Sequence, residues 1–586
     1  MFWMLALLAS LGGLPLLLAG CGGNSEPGTA QSGVAARVVA TANRQTGLAD
    51  PTPRLDSSFV IAAIQADARY RTQERLARKF YRDRQYRLAW FRGHALVPQA
   101  TTLLGTMAKA DEDGLDPRRY AVPALQARLR ELPAAAADTA RRNELERATD
   151  VALTSTFFVW ASDYYRGVAN PYDKKSTVWR VKRNKIKLDH VLETVLGERT
   201  SSYAAYADFA PLHPQYGYLK KALAELRAQQ AAGGWPRLPA TTSLKPGAVD
   251  GPVVALLRQR LRTVVPQQPA DTLVAKPVIQ TSASSPVSPA TDAYDLALVA
   301  AVKGFQRDLG LQPTGIVSGQ TLRALNVPLA DRIRQTILNL ERWRWLPKKF
   351  EPDYLLVNIP EFRLRAFRKG QQALTMRVIV GKALTATPVF SDKLEYVVLA
   401  PYWNVPFSII AKELRPLLIA NPRACLARLD MEVVRGSGSS ATVVNPASVN
   451  WAAATPDNFR YTLRRRPGPK NDLGDVKFIF PNSDDVYLHD TPHDQLFAES
   501  RRDFSHGCVR VEEPIRLATH LLRDTPGWDE KAIRASIAKR QEQYITVRQK
   551  LPVYLVYFTA WADADGHPHF REDIYGHDRA LAQTYF

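Results

Sequence analysis

Residues 489–510 read HDTPHDQLFAESRRDFSHGCVR, a stretch that places one cysteine close to several histidines. A cysteine attacks as its thiolate, so it needs a neighbouring base, and His489 and His506 are both candidates for activating Cys508. Gly507 lets the backbone turn tightly and direct amide N–H groups towards a developing oxyanion. An isolated cysteine is more often a small buried residue than a nucleophile. The compact turn-forming run and the apparent strand before His489 favour a cysteine nucleophile here.

A metal site is the first alternative, because His489, His493, His506 and Cys508 are all chemically adequate zinc ligands. The spacing argues against zinc, since Pro492 excludes the helix that a histidine pair four residues apart requires. We therefore predict no metal and no cofactor. A papain-like cysteine peptidase is the second alternative, but that family places its cysteine before its histidine, which is the reverse of the order found here.

The 489–510 stretch resembles the catalytic signature of the L,D-transpeptidase (YkuD-like) family. Four further segments are similar to the large Gram-negative, YcbB-type branch, and the resemblance extends over most of the chain from about Ser58. These segments are TPVFSD at 387–392, PYWNVP at 401–406, PGPKNDLG at 467–474 and KFIFPN at 477–482.

The resemblance implies a role for each matching residue. Cys508 is the expected nucleophile, His489 the general base, and the backbone carbonyl of Asp490 the group that orients the imidazole. His506 and Gly507 are expected in the oxyanion pocket. The expected substrate-binding residues are Ser505, Arg510, Tyr402, Trp403 and Asn404.

The resemblance also implies a reaction on peptidoglycan. Cys508 would attack the L,D peptide bond of a tetrapeptide stem, release D-alanine and form a thioester, which an amine of a second stem would convert into a 3–3 cross-link. Carbapenems are the expected inhibitors. Two alternatives stay open: an L,D-carboxypeptidase, or cysteine hydrolase, that uses water as the acceptor, and a non-catalytic peptidoglycan-binding scaffold.

The chain has 586 residues and a formal net charge of +21, a balance that suits acidic partners. No basic helix, zinc finger or aromatic RNA-binding signature accompanies the charge, so we predict no nucleic-acid partner. An anionic wall polymer fits the charge as well as a nucleic acid does.

The amino-terminal residues predict where the protein works. Residues 4–19 are almost wholly apolar or small and lead to LAGC at 18–21, which resembles a bacterial lipoprotein cleavage site with Cys21 as the lipidated residue. Residues 1–4 lack the usual lysine or arginine. Gly22 favours the outer over the inner membrane, because no aspartate follows Cys21. We expect a periplasmic, membrane-anchored lipoprotein without a disulfide framework, since Cys425 and Cys508 are the other cysteines.

Pattern changes along the chain predict a multidomain α+β protein. Long connections are unusual unless they have a function, so the interruption of the strands by residues 407–474 is interpreted as a helical lid. The expected parts are a lipoprotein-type signal peptide at 1–21, a disordered linker at 22–55, a helical scaffold domain at 56–240, a small three-helix peptidoglycan-binding-like domain at 244–328 with a flexible insertion at 266–290, a β-rich catalytic domain at 350–560 with the lid at 407–474, and a tail at 561–586, to which no chemistry is assigned.

Overall fold

The amino-terminal part of the described chain is helical, as expected. The computed structural model describes residues 53–171, 180–181, 186–197, 213–262, 292–436 and 440–586. The predicted signal peptide, Cys21 and the flexible insertion lie outside the described residues, as does nearly all of the predicted linker. No helix in the described ranges is long and apolar enough to cross a membrane.

One long buried helix organises the helical region. It begins after Asp138, whose carboxylate accepts the amides of Ala140 and Arg141, and it ends at Gly167, which adopts a positive φ. Asp150 on this helix accepts hydrogen bonds from the Tyr81 hydroxyl and from the neighbouring loop, so the surrounding helices are held by buried polar contacts. The helices of this region are α1 (Ser57–Gln65), α2 (Glu74–Asp83), α3 (Pro98–Ala108), α4 (Val122–Glu131), α5 (Thr139–Arg166), α6 (Leu188–Gly197) and α7 (Pro214–Ala231), with a hairpin of β1 (Phe91–Arg92) and β2 (Ala95–Leu96).

The small helical module has the three helices that the sequence predicted: α8 (Gly251–Arg262), α9 (Leu296–Asp308) and α10 (Gly319–Leu325). Buried apolar side chains of all three helices form one core. The buried Gln306 amide bonds Thr321 and the loop before α10, which fixes that loop. Ser318 occupies the N-cap of α10, although its side chain makes no capping hydrogen bond. Helix α11 (Leu329–Trp345) then leads to the strands.

The described residues contain a nine-stranded sheet in the order β13-β5-β14-β12-β11-β6-β15-β3-β4. The long strand β5 also pairs with β4, so the sheet closes on itself. Every residue of β3 is buried because apolar clusters cover both of its faces. The strands are β3 (Tyr354–Asn358), β4 (Arg363–Arg368), β5 (Gln371–Gly381), β6 (Phe390–Leu399), β11 (Val476–Ile479), β12 (Leu488–His489), β13 (Asp503–Ser505), β14 (Val509–Val511) and β15 (Gln543–Val556).

The insertion at 407–474 is a subdomain with its own apolar core, which includes the buried Cys425. Its helices agree with the prediction, but it also carries most of a four-stranded sheet, so describing it as helical was incomplete. These strands are short, two of them carry charged residues, and a two-residue strand before the insertion completes the sheet. The elements are β7 (Trp403–Asn404), α12 (Phe407–Ile409), a π-helical turn (Ile410–Leu414), α13 (Arg415–Ala420), α14 (Pro422–Leu429), β8 (Met431–Arg435), β9 (Thr442–Val444) and β10 (Thr462–Arg465).

The residues after 560 are folded, whereas the sequence was interpreted as ending in a tail. Strands β16 (Ala560–Ala562) and β17 (Pro568–Phe570) form a hairpin, and Ala560, Ala562 and Phe570 join the apolar core shared with α7 and α11. Helices α15 (Pro514–Leu522) and α16 (Glu530–Ala538) cover the sheet, and the final helix α17 (His577–Tyr585) contributes Leu581 to the core.

Candidate active site

Three neighbouring strands of the large sheet present the site. In their register, His489 lies between Lys477 of β11 and Arg510 of β14. Side chains alternate between the two faces of a strand, so these three polar residues share one face. Each of these polar residues has an apolar neighbour in its strand that points to the opposite face. These neighbours, Phe478, Leu488 and Val509, are buried in the core.

Cys508 directly precedes β14 and lies opposite Tyr487. The amide of Val509 donates to the Tyr487 carbonyl at 3.1 Å, which fixes this pairing. The thiol is partly exposed and donates weakly to the Asp485 carbonyl, with an S···O distance of 3.7 Å. Burial raises the pKa of Cys508, although hydrogen bonds from Tyr487 and the charge of Lys477 act in the opposite direction. The resting side chain is therefore a thiol, and attack requires a base.

His489 has the protonation state that a base requires. Its Nδ1 lies 2.5 Å from the backbone carbonyl oxygen of Asp490, and because that oxygen can only accept, Nδ1 carries the proton and Nε2 is left with its lone pair. Burial, together with the charges of Arg510 and Lys477, lowers the pKa of His489 to about 3. The imidazole is thus neutral near pH 7. The orienting role of Asp490 stays a prediction, and this hydrogen bond supplies its geometry.

Hydrogen bonds inside the turn at 505–508 hold Cys508 in place. The buried Ser505 hydroxyl donates to the Cys508 carbonyl at 2.6 Å and accepts the Gly507 amide at 3.1 Å. Gly507 has a φ of +126°, a conformation that favours glycine. The Gly507 amide is therefore used within the turn and is not directed at a substrate oxygen. Through these two hydrogen bonds, the Ser505 side chain stabilises the turn.

A second set of contacts supports the turn from the side. The Thr387 hydroxyl donates to the Gly507 carbonyl at 2.7 Å and accepts the Gly381 amide at 2.9 Å. The Tyr575 hydroxyl donates to the Gly381 carbonyl at 2.6 Å. A Cβ at position 381 would lie 2.1 Å from the Thr385 carbonyl oxygen, so the close approach of these two backbone segments requires glycine at position 381. The turn at 505–508 thus rests on β5 and on the carboxyl-terminal segment.

Cys508, His489 and Arg510 line one cavity of about 880 Å³. The strand leading into the insertion and the insertion itself also line this cavity. The lining residues from this part of the chain are Trp403, Asn404, Val405, Pro406, Ser408, Ile409, Lys412, Glu413, Asp472 and Leu473.

The remaining predicted residues differ in their positions. His506 is half-exposed, and its Nε2 lies 3.1 Å from a carboxylate oxygen of Glu413 in the insertion. Tyr402 is not among the described residues that line the cavity. Its ring lies under Arg464, with 4.0 Å between the guanidinium carbon and the ring centroid, and its amide donates to Glu542 at 2.8 Å. Tyr402 is thus placed to brace the entry to the insertion.

Sequence reasoning did not identify Tyr487 or Lys477. The Lys477 ammonium lies 3.9 Å from the centroid of the Tyr487 ring, and both side chains line the cavity beside the thiol. Two signals for them were present in the sequence. Lys477 is a charged residue inside an apolar strand. Tyr487 lies two residues before the predicted base, and residues i and i+2 of a strand share a face.

The four residues considered as zinc ligands do not form a metal site in the described part of the chain. No three of His489, His493, His506 and Cys508 bring their donor atoms together as one ligand group.

Three parts of the chain match known domain families. A sequence model described as the L,D-transpeptidase catalytic domain, YkuD, matches residues 352–528. Residues 352–528 are a YkuD-type L,D-transpeptidase catalytic domain. A peptidoglycan binding domain matches residues 282–325, and a scaffold domain matches residues 75–223. The multidomain α+β organisation is thereby confirmed, while the predicted domain boundaries stay predictions.

Similarity to individual proteins is concentrated in part of the chain. A Haemophilus influenzae protein named "Putative L,D-transpeptidase" is 37% identical over 244 residues, which are 42% of this chain and 48% of that protein. The chain thus spans about half the length of this curated relative. The crystal structure of an L,D-transpeptidase (residues 123–326) from Xylanimonas cellulosilytica is 15% identical, with 54% of this chain and 99% of that chain covered and a TM-score of 0.16. This structural likeness is too low to support an argument.

Proposed function

We propose that the protein is an L,D-transpeptidase that forms 3–3 cross-links between peptidoglycan stems. The observation that carries the proposal is the pairing of a thiol with a neutral, oriented imidazole on one sheet face, with both residues lining a cavity large enough for a peptide. A thiol needs such a base to become a nucleophile at neutral pH.

The first half-reaction forms the acyl-enzyme. His489 Nε2 removes the proton from Cys508 Sγ, and the sulfur attacks the carbonyl carbon of the L,D bond of a tetrapeptide stem. The C–N bond then breaks, the departing D-alanine nitrogen takes the proton back from His489, and the acyl group remains on sulfur as a thioester. Burial, together with the positive charges of Arg510 and Lys477, keeps the imidazole neutral before it takes the thiol proton and favours release of that proton to the departing nitrogen.

The second half-reaction transfers the acyl group to an amine. The side-chain amine of a second stem attacks the thioester carbon, His489 accepts the amine proton, and the sulfur leaves and regains a proton. One amide bond forms and one thioester bond breaks, so no metal, nucleotide or oxidant is consumed. Water in place of the amine would give the competing hydrolase reaction.

The test uses purified protein and disaccharide-tetrapeptide, with muropeptides separated and identified by mass spectrometry. We expect cross-linked dimer together with released D-alanine. Tripeptide without dimer would support the L,D-carboxypeptidase alternative. Absence of both products, combined with failure to acylate Cys508, would support the non-catalytic scaffold.

The insertion at 407–474 is proposed to act as a lid over Cys508. Three observations support this role: its residues line the same cavity as the thiol, Glu413 contacts His506 of the turn at 505–508, and it has an apolar core of its own. Closure of a lid excludes water, which would favour an amine over water as the acceptor.

Replacing residues 410–462 with a short Gly/Ser linker is expected to raise the ratio of hydrolysed to cross-linked product. The Val405 amide donates to the Leu463 carbonyl at 2.8 Å, so the chain after the deletion begins beside a residue four positions before the junction, a separation that a short linker can span. Circular dichroism checks that the shortened protein folds. Val443→Ser, at an exposed position of the same insertion, serves as a matched control and should leave the ratio unchanged. An unchanged product ratio and acylation rate in the shortened protein would contradict the lid.

The proposal extends to location and partners. It places the enzyme in the periplasm, held at the outer or inner membrane by a lipid on Cys21, with tetrapeptide stems as donor and acceptor and carbapenems as inhibitors. The lipoprotein-like residues 18–21 support the anchor, and the matched peptidoglycan binding domain supports the wall as substrate.

A further inference from the structure

Two histidines of the carboxyl-terminal hairpin face an aspartate of the small helical module. His567 and His569 are two residues apart along β17 and its preceding turn, which puts them on one face. His567 Nε2 lies 3.0 Å from one carboxylate oxygen of Asp308, and His569 Nδ1 lies 3.6 Å from the other. All three side chains are partly buried, and their donor atoms lie within 4.8 Å of one another.

The second nitrogen of His569 is held by another carboxylate. His569 Nε2 lies 2.9 Å from Asp563, so this nitrogen donates a proton, and loss of the proton from Nδ1 would free a lone pair for a metal beside Asp308. Metal-bound histidines characteristically donate their other N–H to a carboxylate in this way. The His569 ring also stacks on Trp561, with ring centroids 5.5 Å apart and planes 15° apart, which fixes its orientation.

The donor set selects a class of metal. Two imidazoles and one carboxylate suit zinc and related transition metals, whereas calcium and magnesium prefer oxygen ligands alone. Zinc bonds of about 2.0–2.2 Å place tetrahedral ligand atoms roughly 3.4 Å apart, a spacing that small side-chain rotations of these residues can produce. We propose that Asp308, His567 and His569 bind one zinc-class divalent ion, with water as the fourth ligand.

The positive charge of Arg571 lies beside this cluster. The Arg571 guanidinium donates to the backbone carbonyls of Asp308 and Phe570 and lies over the Trp561 ring. The carboxylates of Asp308 and Asp563 offset this charge. Without a metal, the same residues would form an ion-paired contact between protonated histidines and Asp308, and this is the competing interpretation.

The location gives the ion a structural role. Asp308 ends α9 of the matched peptidoglycan binding domain, while the hairpin follows the last strand of the catalytic sheet. An ion here would fasten the peptidoglycan-binding module to the catalytic part of the chain. This inference does not depend on the proposed transpeptidase reaction.

The test is titration of the full chain with cobalt(II), a spectroscopic substitute for zinc, followed by displacement with zinc. The chain carries Cys508→Ala so that the active-site thiol cannot contribute a ligand. We expect one equivalent to bind, with the visible absorption of a tetrahedral site. His569→Ala and His567→Gln should abolish that absorption, and Asp563→Ala should weaken binding about 10–100-fold.

His94→Ala is the matched control, because His94 also pairs with a carboxylate, Glu146 at 3.0 Å, but in the helical region. It should bind cobalt as the parent does, and circular dichroism should show that every variant is folded. Absence of stoichiometric binding, or equal binding in folded His569→Ala, would overturn the metal site and leave the ion-paired contact.

Discussion

Cys508→Ala is expected to lose all acylation by a carbapenem and all formation of cross-linked muropeptide. The sulfur is the atom that bonds the acyl group, so no neighbouring side chain can replace it. Intact-protein mass spectrometry should show an increase of one drug mass in the parent and no increase in the variant.

Cys425→Ala is the matched control for this prediction. Cys425 is buried in the core of the insertion, and burial raises its pKa, so it should not react. This variant should acquire the drug mass as the parent does. Drug labelling that persists in Cys508→Ala would place the nucleophile elsewhere.

His489→Ala is expected to lower the acylation rate by about a hundred- to ten-thousand-fold, the usual contribution of a positioned base. The reason lies in the environment of the ring: it is buried, neutral and oriented by the Asp490 carbonyl. The measurement is the rate of carbapenem acylation under conditions where the parent reacts completely.

His506→Ser provides the comparison, because His506 belongs to the same short motif. Its ring is half-exposed and contacts Glu413, so the variant should keep measurable activity. A dead His506→Ser together with an active His489→Ala would show that the two roles were assigned in reverse.

The closeness of Cys508 and His489 could be predicted because their relation is local. The pairing of β12 with β14 brings His489 beside the cysteine that precedes β14, and both strands lie within the one recognisable stretch. Thr387 also fell in a segment singled out from the sequence, although its contact with the Gly507 carbonyl required the structure.

Other parts of the site depend on contacts that no local pattern reveals. Tyr575 donates a hydrogen bond to Gly381, 194 positions away in the chain. The sequence around Tyr575 is polar and aromatic and contains no pattern that indicates this contact. Strand β10 is rich in arginine, and it becomes recognisable as a strand only through its pairing with β7 and β8. The lid was therefore expected to be helical, and the residues after 560 were expected to be a tail.

The contact between Tyr575 and Gly381 has a consequence for how the protein matures. Because Tyr575 is synthesised well after Cys508, the lateral support of the turn at 505–508 is completed only when the carboxyl-terminal segment has folded back onto β5. A nascent chain that already contains the thiol would therefore still lack a settled catalytic turn. The reactivity of the Cys508 thiol would then indicate whether the carboxyl-terminal segment has folded into place.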